Sequence, residues 1–262
     1  MARSFNGTSD GIQTPTLNLS IYPYGTISFW LNWTTFANND KLACELTVDY
    51  GANAGGFLCD PNSTGPSAGS AYFGYCTVSS AQTVTAEFTR PSAGAWHNWI
   101  CLIDTTQSNA NVLPAVYIDG ISQSLTHTNT GGFQANFANA KLNFMCRNQA
   151  SLFGAGSMAD FVFYNALLSP AEAQALAMGR RPNQVRPLSL KYWWTLDGYG
   201  HPALDRGFTH SNGVLTGTSF APGPPLINPA PIIVSLPDPT NVMPAMPSPP
   251  PPQFVLMPQI VM

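Results

Sequence analysis

Thr26-Ile27-Ser28-Phe29-Trp30-Leu31-Asn32-Trp33 decides the fold class. Ile27, Phe29, Leu31 and Trp33 fall on one face by a period of two, and Ser28, Trp30 and Asn32 fall on the other, the alternation of a strand with one buried face. Gly25 precedes the run as a turn residue. The same alternation recurs over residues 43–50, 70–78, 83–89, 96–104, 115–118, 141–146 and 159–164. Breaks rich in Gly and Pro separate these runs, at residues 51–56, 91–94, 119–120 and 131–132. Nine or ten short strands at regular spacing predict an all-β sandwich.

Composition agrees with that pattern. Charged residues make up 9% of the 262-residue chain, whereas about 25% is usual, and 22 Gly and 24 Pro supply turns. The net charge is −3, and the basic residues are scattered, with only Arg180 and Arg181 adjacent. Tracking a phosphate backbone needs a basic stripe, so no nucleic-acid partner is expected. No run approaches the roughly 20 apolar residues of a membrane helix, so no membrane insertion is expected. The opening Met1–Asp10 carries no apolar signal region, which predicts folding in a cytoplasm. Cys44, Cys59, Cys76, Cys101 and Cys146 are an odd number without a C-x-x-C pair. Buried free thiols are the simpler reading, and a Cys44–Cys59 bridge is the sharper one.

One helix interrupts the strands. In Ser169-Pro170-Ala171-Glu172, Ser occupies the N-cap, Pro the first helical position and Glu the third, which makes a capping box, and Gly179 follows as the C-terminal cap. Residues 170–178 are therefore predicted helical. The sandwich is expected to span residues 1–186, followed by a turn-rich aromatic extension at 187–221 and a proline-rich extended arm at 222–262. The arm holds 14 of the 24 prolines and one charged residue, Asp238. Proline fixes φ and lacks a backbone donor, which excludes sheet or helix interiors there.

Several segments together resemble the laminin-G and concanavalin A-like lectin/glucanase superfamily. They are Ser4–Asp10, Thr26–Trp30, Trp96-His97-Asn98-Trp99 with Asp104, Val116–Gly120, and Ala159–Asn165 leading into Leu168–Glu172; their order and spacing match over roughly residues 2–179. The resemblance implies a two-sheet jelly roll of about a dozen strands. It also brings three site expectations. Calcium at the sandwich rim would draw on Asp10, Asp104, Asp119 and Asp160, although Asp in turns and caps has plainer uses. Sugar stacking would draw on Trp33, Tyr50, Tyr72, Tyr75 or Tyr199, residues that a β core also uses. Glucanase chemistry would need two carboxylates facing one groove. The segments at 205–207, 212–213 and 216–218 resemble a stretch that follows such domains in some bacteriophage-like proteins.

The carboxylates argue against hydrolysis. The chain has three Glu (Glu45, Glu87, Glu172), and the best same-face pair, Glu45 with Asp49, would stand ~13 Å apart along a strand. Retaining enzymes need about 5–5.5 Å and inverting ones about 6.5–9.5 Å. Nor does the sequence place His97, His127, His201 or His210 beside a Ser or Cys on a strained turn. No catalytic residue and no cofactor are expected.

The arm directs the functional expectation. A solvated linker would be rich in Gly, Ser and charge, but this one carries Phe254, Val255, Leu256, Met257, Ile260 and Val261 among prolines. Such a segment fits pockets on a partner subunit. The expectation is a non-enzymatic virion component, a capsid decoration or fibre protein made in a host cytoplasm. It would be anchored by this arm to other copies of itself and to a capsid or tail protein. The alternative is an extracellular or cell-surface carbohydrate-binding adhesin or receptor-recognition module with a glycan partner.

Overall fold

The computed structural model describes residues 1–36, 41–46, 55–63, 69–78, 83–106, 114–129, 136–197 and 203–225. They fall within one unit, Met1–Asn228. Their strands form two eight-stranded sheets. The first runs in the order β10 (Ile121–Ser122), β9 (Ala115–Ile118), β8 (Trp96–Asp104), β3 (Tyr24–Trp33), β13 (Ala155–Tyr164), β1 (Ala2–Asn6), β16 (Ser219–Ala221), with β14 (Leu190–Trp194) also paired to β13. The second runs β11 (Thr126–Asn129), β7 (Thr83–Thr89), β6 (Ser70–Cys76), β5 (Phe57–Ser63), β4 (Cys44–Leu46), β12 (Ala140–Phe144), β2 (Gly11–Leu17), β15 (Val214–Thr216). Two mostly antiparallel layers of this kind make the expected jelly-roll-like sandwich.

Alternation sends the apolar residues between the sheets. Ile27, Phe29, Leu31 and Trp33 of β3 meet Phe57, Phe73, Tyr75 and Phe144 of the second sheet in one core. Aromatic rings continue through it: Phe161 lies 5.4 Å from Phe29 and 4.7 Å from Phe144, centroid to centroid. Each large side chain removed from water contributes about 1.5–3 kcal/mol. All five cysteines are buried free thiols. Cys44 and Cys59 stand in register across β4 and β5 without being bonded.

The strand β13 changes parity midway. Met158, Phe161 and Phe163 point into the core, whereas Ala159, Val162 and Tyr164 pack on the outer side. A strict two-residue period cannot bury both Met158 and Phe161. One extra residue restores the alternation, and Asp160 is that residue: the register against β3 shifts between Ala159 and Val162, and Asp160 takes φ 47°. This is a β-bulge with an Asp in the left-handed region, which Asp tolerates better than most side chains.

Residues 187–221, expected as an extension after the sandwich, supply strands to both sheets. β14 joins β13, β16 joins β1, and β15 joins β2. Trp194 is fully buried, and its indole Nε1 donates to the Ser211 carbonyl at 2.9 Å. β16 lies antiparallel to β1, with Ala2 opposite Ala221, and the Arg3 guanidinium sits 4.3 Å from the Phe220 ring centroid.

The helix α1 (Pro170–Ala177) forms with its expected capping box: Ser169 Oγ accepts from the Glu172 amide, and the Glu172 carboxylate accepts from the Ser169 amide at 2.8 Å. Its C-terminus closes as a Schellman motif. Gly179, at φ 83°, donates to the Leu176 carbonyl at 2.8 Å, and Arg180 donates to the Ala175 carbonyl at 3.0 Å. Ala173 and Leu176 pack on Ile100, Leu102, Val162 and Trp193, on the outer face of the first sheet. A second helical turn, α2 (Pro182–Val185), follows at once, and Tyr164 Oη donates to the Pro182 carbonyl at 2.9 Å. No helix among the described residues is long and apolar enough to cross a membrane.

Candidate functional site

The outer face of the first sheet is only partly covered by α1. Where the helix ends, a cavity of about 350 Å³ opens. Its floor is Ser28 and Trp30 of β3, Asn98 of β8, Val162 with the bulge residue Asp160, and Trp193 of β14; Thr195 and Asp197 close one side. Arg180 and Arg181, carried past the Schellman turn, and Arg206 complete the wall.

Each polar group on the floor is held by its strand. Asp160 Oδ1 accepts from Trp193 Nε1 at 2.9 Å, and the Asp160 amide donates to the Thr195 carbonyl at 3.2 Å. Burial pushes the Asp160 carboxyl up to about 6; the Trp193 hydrogen bond opposes this, the nearby Asp197 charge adds to it, and the amino terminus and Arg181 oppose it. The Asp197 carboxylate accepts from the Thr195 hydroxyl. Asn98 Nδ2 donates to Ser28 Oγ and to the Phe29 carbonyl, each at 3.4 Å. Its Oδ1 is buried and has no hydrogen-bond partner among the described residues. A buried acceptor left in that condition costs about 1–3 kcal/mol.

Arg206 is placed by Asp205, which is only 3% exposed. Asp205 Oδ1 accepts from the amides of Trp193 and Gly207, each at 2.8 Å, and Oδ2 accepts from Thr209 Oγ1 at 2.7 Å and the Ser211 amide at 2.9 Å. A Cβ on Gly207 would come within 2.4 Å of the Lys191 carbonyl, so only glycine lets the loop turn here. The Asp-Arg-Gly sequence thus docks Arg206 beside Trp193.

The four aspartates considered for calcium do not converge. Asp10 accepts from the Asn6 amide at 3.0 Å in the β1–β2 turn, and Asp104 accepts from the Thr106 amide and hydroxyl at 2.9 and 2.6 Å. Asp119 sits in the β9–β10 turn, bonded to the Asn98 amide at 2.8 Å and to His97 Nδ1 at 2.7 Å. Only Asp160 belongs to the cavity. No group of three or more His, Cys, Asp or Glu gathers at metal-binding range among the described residues.

The aromatic residues considered for sugar stacking are also elsewhere. Trp33 and Tyr75 lie in the core, where Tyr75 Oη donates to the Asp104 carbonyl at 3.2 Å, so neither offers a ring face to a ligand. Tyr72 is half-buried against Leu42, Leu58 and Cys76 on the second sheet. Tyr50 and Tyr199 lie outside the described residues, as do Asp49, His201 and the arm positions Phe254, Val255, Leu256, Met257, Ile260 and Val261. Glu45 is fully buried and ion-paired with Arg147 Nε at 3.0 Å, so it faces no groove.

No sequence motif sets a histidine beside a serine, yet folding brings such a pair together. His97 Nε2 lies 3.1 Å from Ser92 Oγ, and its Nδ1 lies 2.7 Å from Asp119 Oδ2. Asp119 also accepts from the backbone at the start of β8, so this chain of bonds ties that strand end to the β9–β10 turn. Ser92 and Asp119 are exposed, and none of the three lines the cavity.

The family model that describes the "Concanavalin A-like lectin/glucanases superfamily" matches residues 6–174. No curated protein matches the chain. Among solved structures, a SAP-like heptameric pentraxin from Limulus polyphemus superposes with a TM-score of 0.51 at 13% identity, over 69% of this chain and 83% of that one. A protein from Bacteroides ovatus ATCC 8483, described as carbohydrate binding, superposes with a TM-score of 0.57 at 12% identity, over 84% of this chain and 59% of that one. Likeness at these identities is a likeness of fold.

Proposed function

This chain belongs to the concanavalin A-like lectin/glucanases superfamily, and on that footing we propose that it is a non-catalytic carbohydrate-binding module whose site is the cavity beneath the end of α1. One observation carries the reading: Asn98, a residue of the cavity floor, has a buried Oδ1 without a donor among the described residues. A sugar hydroxyl that reaches it through a small shift of the Asn98 side chain would supply that donor and relieve the cost of the unpaired acceptor. The surroundings suit a polyol. Trp30 and Trp193 give an apolar floor, while Ser28, Thr195, Asp160 and Asp197 give hydroxyl and carboxylate groups around it. The fold it shares with the Bacteroides ovatus protein described as carbohydrate binding supports the same reading. So does the family, in which lectins and glucanases share one sandwich.

Binding is favoured over hydrolysis because Glu45, the carboxylate best placed in the sequence for glucanase chemistry, is buried and ion-paired. These supports favour a carbohydrate module over the virion component expected from the arm. A glycan array probed with the full chain tests the reading. Retention of one glycan class, lost in Asn98→Ala, is the expected result; retention of none, or binding that Asn98→Ala and Trp30→Ala leave unchanged, overturns it.

A further inference from the structure

The cations at the cavity mouth identify the chemistry of its ligand. The chain carries ten Lys and Arg against thirteen Asp and Glu, yet three arginines stand around this one opening. Their placement is built. Arg180 is the second residue of the Schellman cap, Arg181 is the N-cap of α2, and Arg206 is fixed through its neighbour Asp205. Both carboxylates of the cavity already have donors, Trp193 for Asp160 and Thr195 for Asp197. The three guanidinium groups have no hydrogen bond or ion pair among the described residues, and Arg181 acts on Asp160 only through its field. The unused hydrogen-bonding capacity is therefore a cluster of cationic donors at the rim, with Asn98 Oδ1 and the second carboxylate oxygens of Asp160 and Asp197 as acceptors.

We infer that the cavity takes an acidic sugar, its hydroxyls on Asn98 and its anionic group on Arg180, Arg181 and Arg206. This rests on the carbohydrate reading and adds the ligand class to it. Guanidinium is the side chain suited to such a group, because its planar fork donates two parallel hydrogen bonds to a carboxylate or a sulfate. A neutral sugar engages the floor and leaves the three cations as they are. An acidic one also neutralises them.

The test is a calorimetric titration of the full chain with matched pairs: sialylated, uronate-containing and sulfated oligosaccharides, each against its neutral counterpart. The expected result is an acidic member bound about tenfold or more tightly than its neutral partner, with affinity falling as salt rises. Arg181→Gln and Arg206→Gln should each erase most of that preference while leaving the thermal melt unchanged. The carboxylate and sulfate arms decide which anion is preferred, and either fulfils the inference. Equal affinity for acidic and neutral members, sensitive to Asn98→Ala but not to the arginine variants, overturns the acidic ligand and leaves the carbohydrate site standing. Failure of every oligosaccharide to bind overturns both.

Discussion

Asp160→Asn separates the energetic cost of the β13 bulge from that of its charge. Asn adopts the left-handed conformation that Asp160 holds at φ 47°, and its Oδ1 can still accept from Trp193 Nε1, so the bulge and the parity of Phe161 should survive. What disappears is a carboxylate that burial raises from 3.8 to about 6. A folded-state value above the unfolded one means the folded chain binds the proton more tightly. Stability linked to this group is therefore fully present below about pH 4 and is lost as pH rises through about 6. At about 1.4 kcal/mol per pH unit the full difference is about 3 kcal/mol, and the partial solvent access of Asp160 reduces it to about 1–3 kcal/mol. Urea denaturation of both proteins from pH 4 to 8 measures it. The variant should gain on the wild type by that amount, with most of the gain between pH 4 and 6.5, and the two should run parallel above pH 7. Parallel curves across the whole range would refute the argument that burial raises this carboxyl.

Other outcomes follow from the core, the thiols and the arm. Phe161→Ala removes a ring between Phe29, Phe144 and Trp194 and should cost about 3–5 kcal/mol in chemical denaturation; a loss under about 1 kcal/mol would place the ring outside the core. The five thiols are buried, and burial pushes Cys146 up to about 11 and raises Cys44, Cys59, Cys76 and Cys101 as well, so none should react with a chromogenic disulfide at pH 8 until the chain is unfolded. Prompt reaction of the native protein would contradict that burial. The proline-rich arm remains a proposed assembly element. Deleting residues 222–262 should leave the sandwich folded and abolish self-association measured by sedimentation, and unchanged stoichiometry would make it a passive tail.

The strands whose residues alternate without interruption were legible in the sequence, and β7, β8 and β9 begin and end where the pattern does. Helix α1 was equally plain, because its capping box and following glycine are local chemistry. Two of the strands that escaped notice carry proline, and most of the others are five residues or shorter. Pro15 lies in β2 and Pro61 in β5, each where the register against a neighbour shifts, so the residue that signals a break in a sequence is absorbed here by an irregular pairing. The parity change between Met158 and Phe161 lay outside the 159–164 run read as a strand, and only the register against β3 identifies it as a bulge at Asp160. The cavity was the least legible part. Trp30, Asn98, Asp160, Arg181, Trp193 and Arg206 come from six separated stretches, and no short motif joins them. Asp160 was considered for another role, and Arg180-Arg181 stood out only as the one adjacent basic pair. The missing donor at Asn98 is a property of three-dimensional packing that no spacing encodes.

The pairing of β1 with β16 also fixes how the sandwich responds to force. Ala2 lies opposite Ala221 in an antiparallel ladder, so tension applied at residue 1 and at residue 225 pulls apart two adjacent strand ends. The load meets the ladder one rung at a time, like a zipper, instead of shearing all of its hydrogen bonds together. Phe220 would lift off Arg3 early, and β1 would then peel from residues 155–158 of β13, the first part of the edge whose second part, residues 161–164, holds β14. Tethered by its two ends, the domain is mechanically soft; tethered by one end and by a ligand in the cavity, it carries the load through β13 and β3, which are its longest strands.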